Sequence, residues 1–223
     1  MSNVTSNLSF EEVKSDTYAQ KIYHQLKEKI LSNSIPTDTV LRERDLAEQL
    51  GVSRSPVRDA LRMLEHEGWV KQEGRNKIVR MMSRNQIRDI IMIRRPLELM
   101  VFDLLEESEG PIDLSGVCAA FNKLENSHFE SGRKTLEYFR TDIQFHIEIA
   151  RLSGNAEYVR LYESFAEKLI YTFFVINQPG SDAEGHRPFM NAIVAGDYAK
   201  AKDIYSEMLE GFEESGKKHL ETC

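Results

Sequence analysis

The chain has 223 residues, of which 41% are apolar and 29% charged, a composition typical of a folded protein and not of a disordered one. No apolar run approaches the roughly 20 residues that a membrane-spanning helix needs, and residues 1–10 are too polar for a secretory signal, so we expect a cytoplasmic protein with no membrane partner. With two cysteines, Cys118 and Cys223, a disulfide framework and a thiolate zinc site are excluded.

The charge is distributed unevenly along the chain. The net charge of −7 would by itself argue against a nucleic-acid-binding protein. However, residues 1–80 contain 13 basic and 12 acidic residues, whereas residues 81–223 contain 16 and 24. Seven of the nine basic residues between positions 40 and 80 are arginines. We therefore predict a flexible N-terminal segment at 1–16, an arginine-rich domain at 17–80 and a larger acidic domain at 81–223.

Three short helices are predicted in the arginine-rich domain. Apolar residues recur at helical spacing from Tyr18 to Ile30 and again before Gly51, a residue that favours the end of a helix. Ser53 is a suitable N-cap for the third helix, which runs to about Glu67, and residues 68–79 indicate two short strands around Gly74. This order is that of a winged helix-turn-helix.

Arginines at the start of the third helix indicate DNA binding. Arg54 and Arg58 are four residues apart, so they share one face at the helix end that reaches base edges in a major groove. An arginine that bonds guanine O6 and N7 is the commonest specific base contact. Arg75 in the wing could contact phosphate or the minor groove. The alternative is that these charged helices are only solvated surfaces.

The motifs at residues 41–47 (LRERDLA), 51–61 (GVSRSPVRDAL) and 64–68 (LEHEG) strongly resemble the DNA-binding domain of the GntR family of bacterial transcription regulators. The resemblance implies that Arg44, Arg54, Ser55 and Arg58 contact the operator and that the wing around Gly74 enters the minor groove.

The acidic domain is predicted to be entirely helical. After Ser83 the sequence shows helical periodicity interrupted by Gly- and Pro-containing breaks, and Ser83 with Gln86 forms a capping box. Six helices fit, to about residue 107 and near 113–128, 134–152, 155–176, 182–195 and 197–216. The chain is thus predicted to be mainly α, a winged helix-turn-helix with a small β-wing followed by a six-helix bundle that is large enough for a ligand cavity.

Asp142 and His146 lie one helical turn apart among apolar residues, and His186 offers a third donor. Such a set can bind a divalent metal. The spacing alone favours the alternative, a hydrogen-bonded Asp–His pair that only rigidifies the core.

The motifs at 142–146 (DIQFH), 153–155 (SGN), 184–186 (EGH) and 192–197 (AIVAGD), with 94–98 (RRPLE), resemble the effector-binding FCD domain of the FadR-type branch of that family. This resemblance implies a divalent metal, zinc, nickel or manganese, on Asp142, His146 and His186. A fourth histidine usually follows, and Met208 occupies its position here. A thioether is a poor ligand for such ions, so weaker binding, a water ligand or an empty site are all open.

The resemblance also implies a small carboxylate effector. Arg94 and Arg95 are the candidates to bind it, because a guanidinium matches a carboxylate. The alternative is that they only form a surface salt bridge with Glu98. Helical position adds Tyr171 and Asn177 as candidates to line the cavity.

These observations predict a ligand-responsive transcription repressor that binds operator DNA as a homodimer, because palindromic sites favour two-fold dimers. One alternative is a metal-dependent enzyme that uses Asp142, His146 and His186, although no placed general base, P-loop or nucleophile motif accompanies them. Another is a DNA-binding dimer without an effector.

Overall fold

The computed structural model describes residues 18–108, 110–127, 135–176 and 183–222. The predicted segment at 1–16 and the candidate Asn177 lie outside these residues. The chain separates into two compact units, one ending at Met81 and the other starting at Met82.

The first unit forms three helices and a small sheet within its described residues, 18–81. Its elements are α1 (Tyr18–Leu31), β1 (Val40–Leu41), α2 (Glu43–Leu50), α3 (Arg54–His66), β2 (Val70–Glu73) and β3 (Asn76–Val79). The strands form an antiparallel sheet in the order β1-β3-β2, in which Val40 pairs with Ile78 and Val70 with Val79. Strand β1 was not predicted from the sequence, because a two-residue strand is too short to show alternation.

The turn between α2 and α3 exposes the start of α3. Gly51 adopts the left-handed conformation with φ of 64°, and its N–H bonds the Ala47 and Glu48 carbonyls, which ends α2 as predicted. Ser53 is extended at the N-cap of α3, but its side chain makes no cap hydrogen bond. The opposite face of α3 is fully buried through residues Val57, Ala60, Leu61 and Leu64.

Glu67 joins three elements of this unit at the end of α3. Its carboxylate accepts hydrogen bonds from Tyr23 (2.5 Å), Lys27 (2.7 Å) and the Trp69 indole (3.1 Å). Burial alone would raise the pKa of Glu67, but the bonds from Lys27 and Tyr23 lower it below its usual range. The carboxylate therefore stays charged and ties α1 to the start of the wing.

The second unit consists of six helices within the part of the chain that is described. They are α4 (Arg84–Glu106), α5 (Ser115–Glu125), α6 (Leu136–Leu152), α7 (Ala156–Ile176), α8 (Ala183–Val194) and α9 (Tyr198–Thr222). The capping box at Ser83 and Gln86 is formed. None of the described helices combines the length and the apolar character that crossing a bilayer requires.

Helix α9 continues past Gly216, the residue at which the sequence predicted its end. A Cβ atom at Gly216 would lie 2.4 Å from Ile91 Cδ1. This glycine therefore allows α9 to approach α4 closely within a helix, and it is not a helix end.

We expect Glu67→Ala to lower the free energy of unfolding of the first unit by roughly 1–3 kcal/mol, because the buried Lys27 ammonium loses its carboxylate partner. Denaturant titration followed by the fluorescence of Trp69, the single tryptophan, measures this change. Lys27→Met in the Glu67→Ala background should recover much of the loss by removing the charge whose carboxylate partner at position 67 is gone. Equal stability of wild type and Glu67→Ala would contradict the expectation.

Candidate functional sites

The helical unit encloses a small cavity of about 40 Å³. Five helices of this unit, α4, α6, α7, α8 and α9, contribute the residues that line it: Arg94, Phe139, Asp142, Phe173, His186, Tyr205, Met208 and Phe212. The predicted candidates Arg94, Asp142 and His186 thus meet at one place in the core.

Asp142, His146 and His186 bring three potential ligand atoms together. Asp142 Oδ1 lies 3.5 Å from His186 Nε2 and 3.8 Å from His146 Nε2, and the two Nε2 atoms are 3.3 Å apart. Ligands at zinc-like bond lengths around a tetrahedral ion are about 3.3–3.6 Å apart. Asp142 Oδ1 is buried without a hydrogen-bond partner among the described residues, which leaves a lone pair available. The donor types and their spacing fit a divalent metal.

His146 is oriented by a hydrogen bond from its other ring nitrogen. Its Nδ1 lies 2.9 Å from the Tyr205 hydroxyl, and that hydroxyl donates its one proton to Glu98 Oε2 at 2.6 Å. Tyr205 oxygen can therefore only accept from His146 Nδ1–H, which leaves the lone pair on Nε2. Burial lowers the pKa of His146 to about 3, so the ring is neutral at physiological pH.

Arg94 is held rigidly beside this cluster. Its Nε donates to Glu98 Oε2 at 2.9 Å, and its guanidinium lies between the Phe173 and Phe212 rings, with centroid distances of 4.5 and 4.4 Å. Burial alone would lower the pKa of Arg94, but the Glu98 carboxylate raises it above its usual range. Its Nη groups have no hydrogen-bond partner within the described parts of the chain. They are free to bind an anion in the cavity.

The first unit presents a second candidate site at the start of α3. Arg44, Arg54, Ser55 and Arg75 are exposed, as DNA contact requires. Arg58 is half exposed and makes a two-pronged ion pair with Glu43 of α2. Gly74 at the tip of the wing has φ of 60°, a conformation that favours glycine, so the tight turn places Arg75 at the end of the β2–β3 hairpin.

Two family models match this chain, one within each of the two units. Residues 18–79 match the family described as bacterial regulatory proteins, gntR family, and residues 89–211, more than half of the chain, match the FCD domain. The chain belongs to the GntR family of transcription regulators.

Proteins similar in sequence to this chain are described as transcriptional regulators. It is 28% identical to YdhC, an uncharacterized HTH-type transcriptional regulator of Bacillus subtilis, over 96% of this chain and 88% of that one. It is also 28% identical to the gluconate operon transcriptional repressor of Bacillus licheniformis, over 74% and 67% of the two chains. A GntR structure from a Rhodococcus species shares the fold with a TM-score of 0.70 at 22% identity, covering 90% of this chain and 97% of that one.

These relationships decide against the alternative of a metal-dependent enzyme. The family and the relatives are transcription regulators. The buried cluster therefore belongs to the FCD domain of a transcription regulator.

Two other candidates in the FCD domain lie away from the cavity. Arg95 points toward α9, where its Nη2 donates to Ser206 (2.7 Å) and Glu210 (2.6 Å). Tyr171 is buried in α7 but does not line the cavity. Met208 does line it, at the position where the family resemblance placed a fourth histidine. The contact of Arg94 with Glu98 is buried, so it is not the surface pair that the sequence left open.

Three residues that organise the FCD cavity were not identified as site residues from the sequence. The carboxylate of Glu98 accepts from Arg94, Tyr205 and Tyr162, all of them buried. Burial raises the pKa of both tyrosines well above the usual range, so their hydroxyls keep their protons and donate. The signal available in the sequence was the i,i+4 spacing of Arg94 and Glu98, which places opposite charges on one face of a helix. Nothing in the sequence marks the two tyrosines.

We expect Glu98→Gln to lower the free energy of unfolding of the FCD domain by about 3–5 kcal/mol, because the buried Arg94 charge loses its counter-ion. Thermal unfolding followed by circular dichroism measures the loss. Glu210→Gln is the matched control on the same pair of helices, since it removes the exposed partner of Arg95 and should cost less than about 1 kcal/mol. Equal effects of the two variants would contradict the structural role of Glu98.

Proposed function

We propose that this GntR regulator is a sequence-specific repressor whose FCD domain senses a small carboxylate through a bound divalent metal. The observation that carries the proposal is the buried triad of Asp142, His146 and His186, whose three donor atoms lie within 3.8 Å of one another. One of these atoms, Asp142 Oδ1, is desolvated, and no hydrogen bond from a described residue compensates it.

Asp142, His146 and His186 would hold the metal. When bound, a zinc, nickel or manganese ion would supply a positive centre with open coordination positions for an oxygen ligand. Met208 lines the cavity, but a thioether is a poor ligand for such ions in the presence of two imidazoles and a carboxylate. The coordination positions not taken by the triad would therefore stay open to an oxygen ligand.

Arg94 would bind the effector carboxylate from the other side. Its Nη groups are free within the described residues, and two aromatic rings and Glu98 prevent it from turning away. A guanidinium that is already fixed loses little conformational entropy on binding an anion. Two other effector-site candidates, Arg95 and Tyr171, do not line the cavity, and Asn177 lies outside the described residues. All three remain predictions.

The size of the cavity restricts the effector that this state accepts. A volume of about 40 Å³ admits a few water-sized groups, whereas drug-sized ligands occupy roughly 300 Å³ or more. A carboxylate fits without rearrangement, but a larger acid requires that lining side chains move. That movement is a physical means by which an effector could favour one conformation of the FCD domain over another.

Operator recognition would use the exposed start of α3 and the wing. Arg44, Arg54, Ser55 and Arg58 would contact the major groove, and Gly74 with Arg75 would approach the minor groove. The acidic residues from 81 onward would be repelled by phosphate, so the arginine-rich face would be the attractive surface. A homodimer would match a palindromic operator.

Repression is favoured over activation by the names of the relatives. Besides the gluconate operon repressor, a protein of Paenarthrobacter nicotinovorans described as a probable D-xylose utilization operon transcriptional repressor is 25% identical over 81% of this chain. For any effector to relieve repression, its affinity must differ between the DNA-bound and free states, typically by about 1–3 kcal/mol.

We expect purified, chelator-free protein to contain about one zinc, nickel or manganese per chain, and Asp142→Ala to weaken metal binding roughly tenfold or more. Elemental analysis and competition with a chromophoric chelator measure both. Asp103→Ala, at an exposed carboxylate on α4, is the control and should bind metal like wild type.

Met208→His provides a test in the opposite direction, because it adds an imidazole at the cavity and should tighten metal binding. If wild type and Met208→His both contain no metal after reconstitution, the metal part of the proposal is wrong. If carboxylates then also leave operator binding unchanged, the protein is a DNA-binding dimer without an effector. If carboxylates still alter operator binding, Arg94 binds the effector without a metal.

We expect Arg54→Ala to lose operator discrimination by about 1–3 kcal/mol, because each good arginine–guanine contact contributes that much. Comparing affinity for a duplex selected by wild type from a randomised library with affinity for random duplex measures discrimination. Arg160→Ala, at an exposed position of the FCD domain, is the control. Unchanged discrimination by Arg54→Ala would remove Arg54 from the reading face.

A further inference from the structure

The Glu43–Arg58 pair is the best-formed ion pair on the predicted DNA-reading face. Arg58 Nε donates to Glu43 Oε1 at 3.0 Å and to Oε2 at 3.2 Å, and Nη2 donates to Oε2 at 2.9 Å. The hydrogen bond from Arg58 holds the pKa of Glu43 below its usual range, so the carboxylate is charged. Both side chains are substantially exposed, at 50% for Arg58 and 31% for Glu43, and such pairs contribute little to folding stability.

The pair uses only one edge of the guanidinium. An arginine has five N–H donors, and Glu43 takes the Nε hydrogen and one hydrogen of Nη2. Arg58 Nη1 has no partner among the described residues, so the outer edge with Nη1 and the second Nη2 hydrogen stays open. Two parallel donors on this edge match guanine O6 and N7. Arg58 could therefore contact a guanine while it remains bound to Glu43.

We propose that Glu43 is a specificity-determining residue that positions Arg58, so that its open edge reads a guanine in the major groove. This inference rests on the proposed operator binding by α3. A carboxylate at this position also repels phosphate, so Glu43 reduces affinity for DNA in general while it improves discrimination between bases. An unheld Arg58 would instead be free to turn to the nearest phosphate, a contact that carries no sequence information.

The test compares Glu43→Ala with Glu48→Ala. Both remove one negative charge from α2, but Glu48 is exposed and its side chain makes no ion pair with any described residue. Both variants should bind random duplex more tightly than wild type to a similar degree. Glu43→Ala alone should lose discrimination against base changes at one position of each half-site, by about 5-fold to 150-fold. Circular dichroism and thermal unfolding verify that both variants are folded.

The probe is a duplex library with a randomised core, from which wild type, Arg58→Ala and the two glutamate variants each select sequences. Loss of the same guanine preference in Arg58→Ala and Glu43→Ala, but not in Glu48→Ala, supports the inference. If Glu43→Ala selects the wild-type motif with the wild-type preference at every position, Glu43 has no positioning role although operator binding stands. If wild type itself enriches no motif, the proposed function fails and the inference fails with it.

Discussion

The Glu98 carboxylate is the interaction on which the FCD domain depends. It is buried with 3% exposure and accepts hydrogen bonds from residues of three helices: Arg94 of α4, Tyr162 of α7 and Tyr205 of α9. A buried charge of this kind is tolerated only when it is paired and its lone pairs are satisfied. The same carboxylate also fixes the proton of Tyr205 and, through it, the lone pair of His146. Helix packing and the chemistry of the cavity thus share one anchor.

The DNA-binding unit uses a comparable arrangement. Glu67 gathers Tyr23, Lys27 and Trp69 at the end of α3, as Glu98 gathers its partners in the bundle. In both units, a single acidic side chain thus joins several elements close to the candidate site. The remaining surface charges, such as the pair of Lys71 with Glu73, are exposed and contribute little to stability.

Sequence patterns predicted most of the fold because its strongest signals are local. Helical periodicity, Gly51 and the Ser83 capping box each act within a few residues, and the corresponding elements are present. The errors arose where contacts between residues distant in the sequence determine the structure. Strand β1 pairs with residues almost forty positions later, and Gly216 packs against Ile91. For the same reason the i,i+4 spacing identified Asp142 and His146, whereas Tyr162 and Tyr205 reach the site only through tertiary packing.

The position of Met208 also bears on how fast the cavity can exchange its contents. The other residues that line it, among those described, are each less than a tenth exposed, whereas Met208 is partly exposed. Met208 is thus the most exposed of these lining residues, and its flexible, unbranched thioether side chain can change rotamer without disturbing a helix. A side chain that must move before a molecule enters or leaves slows both association and dissociation, so the motion of Met208 would contribute to the residence time of a molecule that exchanges past it.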